Sequence, residues 1–348
     1  MPIRVLVVDD SLLIRRFVKD ILSRDPEFEV IGEAADGVEA INKIMELSPD
    51  VVILDLEMPK KNGIEVIREV MAKKPTRILV FSSHTKEGAE ITTTALTSGA
   101  IDFVFKPSWS HIASNISEFS KMFIEKVKLV ARSKIPTPKP EVAETQPTAP
   151  TPSRPTIRKE KLGIVAIASS TGGPRALTAV VPKLPEDMPV PVVIVQHMPA
   201  GFTKSLAERL NRLSKLTVKE GEDGEPVRAG YVYIAPGGIH MRVSGGKIEL
   251  FDGPQVKGVK PAADVLFDSV GREYKKQTLG VVLTGIGDDG TDGAKVIKQF
   301  GGKIFAESEE TALIYGMPKS VVKAGLADKV VPLHQMADEI VKEVRKWI

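Results

Sequence analysis

Short apolar runs alternate with amphipathic segments along this 348-residue chain, and a proline-rich segment interrupts the alternation once. Repeated units of a strand followed by a helix give right-handed crossovers and a parallel sheet. Before the interruption, the predicted strands are residues 3–8, 29–34, 51–54, 77–81 and 101–105. The predicted helices there include residues 12–23, 37–47 and about 112–132. The first part of the chain is therefore predicted to be an α/β domain.

The same alternation resumes at residue 162 and predicts a second α/β domain. Its predicted strands are residues 162–168, 190–196, 231–235, 278–284, 303–307 and 329–331. Its predicted helices are residues 174–184, 202–213, 262–275, 290–300 and 334–347. A β-hairpin is also predicted, because a Ser-Gly-Gly turn at 244–246 separates residues 241–243 from residues 247–250.

The interruption, residues 134–156, contains seven prolines among Thr, Ala, Glu and Lys. This composition cannot form a packed core, so we expect an extended, mobile linker. The predicted organisation is a first domain over residues 1–125, a linker over residues 126–158 and a second domain over residues 159–348. The linker includes the end of the last helix of the first domain.

The composition excludes several classes of protein. The net charge is only +3, with both signs interspersed, and gives no basis for binding nucleic acid or a membrane surface. The absence of cysteine excludes disulfides and thiolate chemistry and fits a reducing cytosol. The sequence shows neither a membrane span nor the apolar core of a signal peptide. We therefore expect a cytoplasmic protein with no nucleic-acid partner and no membrane insertion.

Three acids and one lysine follow predicted strands of the first domain. Asp9 and Asp10 come after the first strand, Asp55 after the third, and Lys106 after the fifth. The carboxyl ends of parallel strands lie at one edge of the sheet, where ligands bind in open α/β folds. Converging carboxylates need a cation, and oxygen ligands favour Mg²⁺. One such carboxylate can attack a phosphoryl group, and Lys106 would offset the charge that develops on the phosphoryl oxygens.

Ser82 and Phe103 are predicted near the same edge. Ser82 follows the fourth strand and can donate a hydrogen bond to the phosphoryl product, which would draw its loop inward. Phe103, on the fifth strand, would respond by rotating. Each acid taken singly is better explained by a helix cap or a solvated turn. The whole set predicts a phosphate-operated switch.

In the second domain, the segment Gly285–Gly290 matches the G-x-G-x-x-G pattern of dinucleotide-binding proteins. It lies between a predicted strand and a predicted helix, and Glu307 ends the next strand. Two acids argue against this interpretation, because Asp288 and Asp289 would place negative charge where the helix N-terminus should meet a pyrophosphate. The motif also lies late in the domain.

A second interpretation of this region is a metal site formed by Asp288, Asp289 and Asp292. Asp292 in particular is better explained as an acid that stabilises the N-terminus of the following helix.

A third interpretation combines three strand ends. Ser170 follows the first predicted strand of the second domain, His197 the second, and Asp289 the fourth. A serine just before a helix has an exposed hydroxyl beside backbone N–H groups that can bind an oxyanion. His197 would remove the serine proton, and Asp289 would hold the imidazole in the required tautomer.

Two histidines of the second domain also have structural explanations. His197 alone is equally well explained as a histidine packed by Met198 and Pro199. His240 is a further candidate for the pocket, but it is better explained as a turn histidine. On the residues alone, the nucleotide, metal and triad interpretations stay open.

Residues 1 to about 125 resemble a response-regulator receiver domain. The resemblance rests on Val7-Val8-Asp9-Asp10-Ser11, Leu54-Asp55-Leu56-Glu57-Met58-Pro59 with Gly63, Ser82-Ser83 and Lys106-Pro107. It implies a flavodoxin-like fold in which Asp55 is the phosphoacceptor and Lys106 contacts the phosphoryl group. The implied Mg²⁺ ligands are Asp9, Asp10, Asp55 and the backbone carbonyl of Glu57.

Residues from about 160 to 348 resemble the catalytic domain of the CheB family of chemotaxis receptor methylesterases. The matching motifs are Ser170-Thr171-Gly172-Gly173, Gln196-His197-Met198-Pro199-Ala200-Gly201-Phe202, Glu222-Asp223-Gly224, Ile234-Ala235-Pro236-Gly237 with His240, Pro261 with Asp264-Val265-Leu266-Phe267, Leu283-Thr284-Gly285, Asp289-Gly290 and Gly316-Met317-Pro318. The resemblance implies a Rossmann-like α/β esterase domain with Ser170 as nucleophile, His197 as base and Asp289 as the orienting acid. Backbone N–H groups near Thr171 and Gly172 would bind the oxyanion.

The resemblance also implies a substrate and partners. The substrate would be glutamate methyl ester on chemotaxis receptors, with methanol released, and the family also deamidates specific receptor glutamines. A chemotaxis histidine kinase would be the phosphodonor. Mg²⁺ would serve phosphorylation, and ester hydrolysis would need no cofactor. We expect a monomer in which the unphosphorylated receiver covers the catalytic cleft and phosphorylated Asp55 weakens that packing.

Two positions depart from well-known relatives. Ile286 stands where they carry Met, and Asp288 stands where they carry Asn, which affects the pocket shape and the local charge. Two functions of other classes compete with the esterase. A transcriptional response regulator is disfavoured, because the second domain shows neither a short helix-turn-helix module nor a basic stripe. A receiver-regulated, nucleotide-dependent oxidoreductase rests on Gly285–Gly290 alone.

Overall fold

The computed structural model describes residues 1–83, 85–107, 109–135 and 163–348. By its internal contacts the chain divides into two compact units, residues 1–140 and 141–348. Most of the proline-rich segment lies outside the described residues, so the mobile linker and the two predicted domain boundaries stay predictions. In the described part of the chain, no helix is both long and apolar enough to cross a membrane.

The first unit contains a five-stranded parallel sheet in the order β2-β1-β3-β4-β5. Its strands are β1 (Ile3–Val8), β2 (Phe28–Ala34), β3 (Val51–Leu54), β4 (Ile78–Ser82) and β5 (Asp102–Phe105). Its helices are α1 (Leu12–Leu22), α2 (Gly37–Leu47), α3 (Gly63–Lys73), α4 (Lys86–Ser98) and α5 (Trp109–Arg132). From β1 the chain continues to β2 on one side of the sheet, whereas from β3 it continues to β4 on the other side. The carboxyl ends of β1 and β3 therefore border the crevice where such sheets bind ligands.

The second unit contains a seven-stranded parallel sheet in the order β14-β13-β12-β6-β7-β9-β8. Its strands are β6 (Ile164–Ser169), β7 (Val192–Gln196), β8 (Thr217–Glu220), β9 (Tyr231–Ile234), β12 (Thr278–Val282), β13 (Lys303–Glu307) and β14 (Lys329–Val331). The antiparallel hairpin is β10 (His240–Ser244) with β11 (Lys247–Phe251). The helices are α6 (Gly173–Val180), α7 (Phe202–Leu213), α8 (Ala263–Tyr274), α9 (Thr291–Gln299), α10 (Met317–Lys323) and α11 (Leu333–Val344).

Strands at the centre of the second sheet are buried along their whole length. Every residue of β6, β7 and β12 is buried, as expected for strands that helices cover on both faces. Because β6 lies between β7 and β12, side chains that follow these three strands meet at one edge. The predicted fold class, two parallel-sheet α/β domains with a hairpin in the second, is confirmed.

Several predicted bounds need correction. The strand predicted to end at residue 284 ends at Val282, because the N–H of Thr284 donates to the Glu307 side chain and leaves the strand ladder. The helix predicted over residues 174–184 stops at Val180, and a short 3-10 turn containing Pro182 follows it. The last helix likewise ends at Val344 and is followed by a 3-10 turn.

Candidate active sites

The first unit brings three predicted acids together at the carboxyl edge of its sheet. Asp9 and Asp10 follow β1 and Asp55 follows the neighbouring β3, and their carboxylate oxygens lie within 4.8 Å of one another. Within the described ranges, this is the only group of three or more acids or histidines so arranged. A compact set of carboxylate oxygens suits a hard divalent cation, so these residues fit Mg²⁺.

Lys106 joins two of these acids. Its Nζ lies 2.8 Å from Asp9 Oδ2 and 2.8 Å from Asp55 Oδ2. Burial raises the pKa of the Asp55 carboxyl to about 6; Lys106 opposes the shift and the charge of Asp9 adds to it. Burial works against the charged form of Lys106, but its contacts with Asp55 and Asp9 raise its pKa. The structure therefore places the ammonium against the predicted phosphoacceptor.

The other predicted switch residues lie nearby in the fold. Ser82 is buried at the end of β4, and its Oγ accepts a hydrogen bond of 2.6 Å from Thr92 of α4. Phe103 on β5 packs edge-on against Phe105, with ring centroids 5.3 Å apart. The N–H of Glu57 is 3.4 Å from Asp55 Oδ1. The Ser82 contact ties the end of β4 to α4, but the switch roles and the Glu57 carbonyl ligand stay predictions.

The second unit brings two members of the predicted triad into contact. His197 follows β7, Asp289 lies in the loop after β12, and His197 Nε2 is 2.7 Å from Asp289 Oδ2. Ser170 follows β6, the strand between β7 and β12, and is partly exposed. All three residues therefore leave neighbouring parallel strands at the same edge.

Asp289 is held by the start of α8 as well as by His197. Its Oδ2 accepts from the N–H of Ala263 at 2.6 Å, and its Oδ1 accepts from the N–H of Asp264 at 2.9 Å. Burial opposes ionisation, yet the hydrogen bonds from His197 and these N–H groups hold the pKa of Asp289 below its usual value. Asp289 is thus a fixed, ionised acceptor facing the imidazole.

The backbone around Ser170 is tightly packed. Gly172 has a φ of +78° and caps the N-terminus of α6, a conformation that glycine adopts without strain. A Cβ added at Gly285 would lie 2.8 Å from the Ser170 Cβ. The N–H groups of Ser170 and Gly173 donate to the carbonyls of Thr284 and Ser170, so neither of them serves as an oxyanion donor.

Three residues around the triad were not predicted as site residues from the sequence. Gln196 is buried between Ser169, Ser170 and His197, and Thr284 bonds to the Ser170–Thr171 backbone. Lys257 pairs with acids at the starts of α8 and α9, which are Asp264, Asp288 and Asp292. In the sequence, Gln196 and Thr284 are polar residues at the ends of apolar runs, and this pattern could have indicated a site residue. Lys257 lies in a loop and shows no such pattern.

The structure argues against the two competing interpretations. Glu307 is fully buried, and its carboxylate accepts hydrogen bonds from the Thr284 N–H and the Thr311 hydroxyl, so it is not presented to a ribose. Asp288 and Asp292 are each paired with Lys257 and do not converge with Asp289 on a common point. Asp289 itself is committed to His197 and α8.

His240 has a structural role in this arrangement. It is buried, its Nε2 lies 2.9 Å from the Pro254 carbonyl oxygen, and its Nδ1 accepts from the Ala262 N–H at 3.3 Å. Its ring packs on Phe251 with centroids 5.4 Å apart. His240 therefore ties the hairpin to the loop before α8, which is a structural role, but it lies in strand β10 and not in the predicted turn.

Each of the two units matches a known protein family. Residues 165–340 match the family model of the CheB methylesterase, and residues 5–115 match that of the response regulator receiver domain. A relative named protein-glutamate methylesterase/protein-glutamine glutaminase from Thermotoga maritima is 45% identical over 348 residues, with 98% of each chain covered. A relative of the same name from Pyrococcus abyssi is 44% identical, covering 98% of this chain and 94% of its own.

A solved structure agrees with this placement. The crystal structure of the Thermotoga maritima CheB methylesterase catalytic domain is 48% identical, with a TM-score of 0.51, and covers 52% of this chain and 98% of its own. The matched region contains Ser170, His197 and Asp289, the three residues that the fold gathers at one edge. The chain therefore belongs to the CheB methylesterase family and carries a response regulator receiver domain ahead of its methylesterase domain.

Proposed function

We propose that this chain is a phosphorylation-activated protein-glutamate methylesterase that also deamidates specific glutamines of chemotaxis receptors. The observation that carries the proposal is the 2.7 Å contact of His197 with Asp289, which lie with Ser170 at one sheet edge. The names of the relatives support the choice of substrate. The proposed setting is the cytoplasm, with a monomeric enzyme acting on receptors as substrates.

Ser170 is the proposed nucleophile. Its Oγ attacks the ester carbonyl carbon while its proton moves to His197. Because Nε2 of His197 is directed at Asp289, Nδ1 is the ring nitrogen that accepts this proton. Ionised Asp289 stabilises the imidazolium that forms, and its fixed position keeps the neutral ring in one tautomer.

The tetrahedral intermediate then collapses. The bond from the carbonyl carbon to the methoxy oxygen breaks, and methanol leaves with the proton that His197 held. Water attacks the acyl-enzyme carbonyl while His197 takes its proton. The bond from the carbonyl carbon to Ser170 Oγ then breaks, Oγ regains the proton from His197, and the receptor glutamate is released. Deamidation follows the same course with ammonia as the leaving group. We assign oxyanion binding to the backbone N–H groups of Thr171 and Gly172, at the N-terminus of α6.

The receiver is the proposed control element. Asp55 attacks the phosphorus of a phosphohistidine on the donor, a chemotaxis histidine kinase; the bond from phosphorus to the donor's imidazole nitrogen breaks, the donor histidine leaves, and an aspartyl phosphate forms. Lys106, already 2.8 Å from Asp55, offsets charge on the phosphoryl oxygens. Mg²⁺ bound by Asp9, Asp10, Asp55 and the Glu57 carbonyl would neutralise further charge there. The Ser82 hydroxyl, which now donates to the Ser83 carbonyl at 3.4 Å, would then donate to the phosphoryl group, and Phe103 would rotate.

Control between the units is proposed to be a shift in population. The unphosphorylated receiver covers the catalytic cleft, and phosphorylation of Asp55 weakens that packing. The proline-rich segment allows the receiver to move away while it stays tethered.

A serine-directed fluorophosphonate probe tests the catalytic assignment. We expect the probe to label Ser170 in the wild type, as located by peptide mass spectrometry. Labelling should be lost in Ser170→Ala and slowed at least about 100-fold in His197→Gln, because the base activates the serine. Unchanged labelling of either variant would contradict the nucleophile or the base assignment.

A further inference from the structure

The turn that carries Ser170 is held from both sides by side chains of the two strands that flank β6. We propose that Gln196, at the end of β7, and Thr284, just beyond β12, are positioning residues that fix Ser170 relative to His197. This inference rests on the proposed function. Neither residue is placed to touch substrate, so each acts through the backbone that it holds.

Gln196 joins the backbones of the nucleophile and the base. Its side chain is buried, and its Nε2 lies 2.9 Å from the carbonyl oxygen of Ser170 and 3.2 Å from that of His197. Its Oε1 accepts from the Ser169 hydroxyl at 2.7 Å. Both amide hydrogens and the amide oxygen are therefore used, and the amide fixes the spacing of residues 170 and 197.

The Gln196 side chain fills the space beside Gly173. A Cβ added at Gly173 would lie 1.9 Å from Gln196 Oε1, well inside any real contact distance. The first residue of α6 is therefore a glycine where the amide occupies the space that a side chain would fill. The Gly173 N–H also donates to the Ser170 carbonyl oxygen at 2.7 Å, so that oxygen receives two hydrogen bonds.

Thr284 holds the other side of the same turn. Its carbonyl accepts from the Ser170 N–H at 3.0 Å, and its hydroxyl donates to the Thr171 carbonyl at 3.0 Å. The hydroxyl also accepts from the Ile314 N–H at 3.0 Å. The N–H of Thr284 is in turn fixed by buried Glu307 at 2.9 Å. The peptide groups that join residues 169–170 and 171–172 are thereby anchored to the residue beyond β12 and, through Glu307, to β13.

Such anchoring matters because acyl transfer depends on geometry. A displacement of about 1 Å in a reacting group can cost on the order of 100-fold in rate. The Ser170 turn contains Gly172 and Gly173, which impose little conformational restriction of their own. The hydrogen bonds of Gln196 and Thr284 supply the restriction that the sequence of the turn lacks.

The test compares full-length Thr284→Val and Gln196→Met with Thr278→Val as a matched control. Thr278 is also fully buried on β12, and its hydroxyl donates to the Val270 carbonyl at 3.1 Å, at the opposite end of the strand from the site. All three substitutions nearly conserve volume and remove buried hydrogen bonds: the one described for Thr278, the two described for the Thr284 hydroxyl and the three of Gln196. Methanol release from methylated receptor fragments gives kcat and KM, at a temperature where circular dichroism shows each variant folded.

We expect Thr284→Val and Gln196→Met each to lower kcat by about 10-fold to 100-fold, with KM within about twofold of the wild type. Thr278→Val and Thr284→Ser, which keeps the hydroxyl, should retain kcat within about threefold. The double variant should lose less than the product of the single losses, because both residues hold one turn. If Gln196→Met does not fold, the Thr284 and Thr278 variants decide alone.

The inference is overturned if Thr284→Val keeps a kcat within about threefold of Thr278→Val, or if Thr284→Ser fails to restore activity. In either case the wild type would still release methanol at its normal rate. Failure of the proposed function looks different, since the wild type itself would then release no methanol.

Discussion

Asp289 shows how single residues are given a function by their surroundings. From the sequence it was one of two adjacent acids in a glycine-rich loop, open to three interpretations. The structure separates the pair: Asp289 is buried against His197 and α8, whereas Asp288 is exposed and paired with Lys257. Periodicity and spacing cannot make that distinction, because it depends on how α8 packs beside the loop.

Asp289→Asn tests the role of the charge. The amide keeps the shape but cannot accept in the same way from His197 and cannot stabilise its charged form. We expect kcat for methyl ester hydrolysis to fall by on the order of 10³- to 10⁴-fold, with KM little changed. Steady-state methanol release measures both constants. A loss below about 10-fold would mean that Asp289 has only a structural role.

Asp55→Asn tests the electrostatics of the receiver. Burial raises the Asp55 pKa from 3.8 to about 6, so between these pH values the native state binds more protons than the unfolded state. Stability is therefore lost as the pH rises through this window, by about 3 kcal/mol at pH 7. In metal-free buffer, Asp55→Asn should stabilise the receiver by up to this amount at pH 7 and by much less at pH 4.

Urea unfolding of the full chain, with the receiver followed through the amide signals of β3, measures this difference. Equal effects of the substitution at the two pH values would show that Asp55 does not titrate in this window.

At the scale of elements, the sequence predicted most strands and helices, gave no bounds for α3 and α4, and missed β8 and α10. Strand β8 (Thr217–Glu220) lies at the sheet edge and contains a single apolar residue, Val218, so its apolar signal is weak. Helix α10 (Met317–Lys323) has seven residues, too few for a helical period to be evident. The order of the strands could not be predicted from the sequence either. The contacts that Gln196 and Thr284 make across β7, β6 and β12 depend on that order, so they were not predicted.

Lys257 is predicted to secure the junction of α8 and α9. Its Nζ lies 2.9 Å from Asp264 Oδ2 and 2.9 Å from Asp292 Oδ2, at the N-terminal turns of the two helices. Lys257→Met would leave the largely buried Asp264 carboxylate unpaired and should lower the free energy of unfolding by about 2 kcal/mol.

Lys295→Met is the matched control for this prediction. It removes a 2.7 Å pair with Asp292 in which both side chains are more than half exposed, and should cost less than about 0.5 kcal/mol. Urea unfolding of the second unit compares the two variants, and equal losses would refute the special role of Lys257.

At the scale of the whole molecule, motifs spread over both units identified the family from the sequence, and the family models match the same two regions. Communication between the units was predicted from the presence of a receiver and a proline-rich segment, not from any contact.

A catalytic fragment, residues 159–348, tests inhibition by the receiver. Without a receiver to cover its cleft, the fragment should hydrolyse methylated receptor fragments at least as fast as the phosphorylated full chain, and without a phosphodonor. A folded fragment that is no faster than the unphosphorylated full chain would show that the receiver activates by another route.

The central claim is that one serine carries out the hydrolysis and one aspartate controls it. Its most direct test is methanol release from methylated receptor fragments by the wild type, Ser170→Ala and Asp55→Asn, each with and without a small phosphodonor and Mg²⁺. The account predicts release that rises with the donor in the wild type, stays low in Asp55→Asn and is absent in Ser170→Ala. Release that persists without Ser170, or full donor-dependent activation without Asp55, would contradict it.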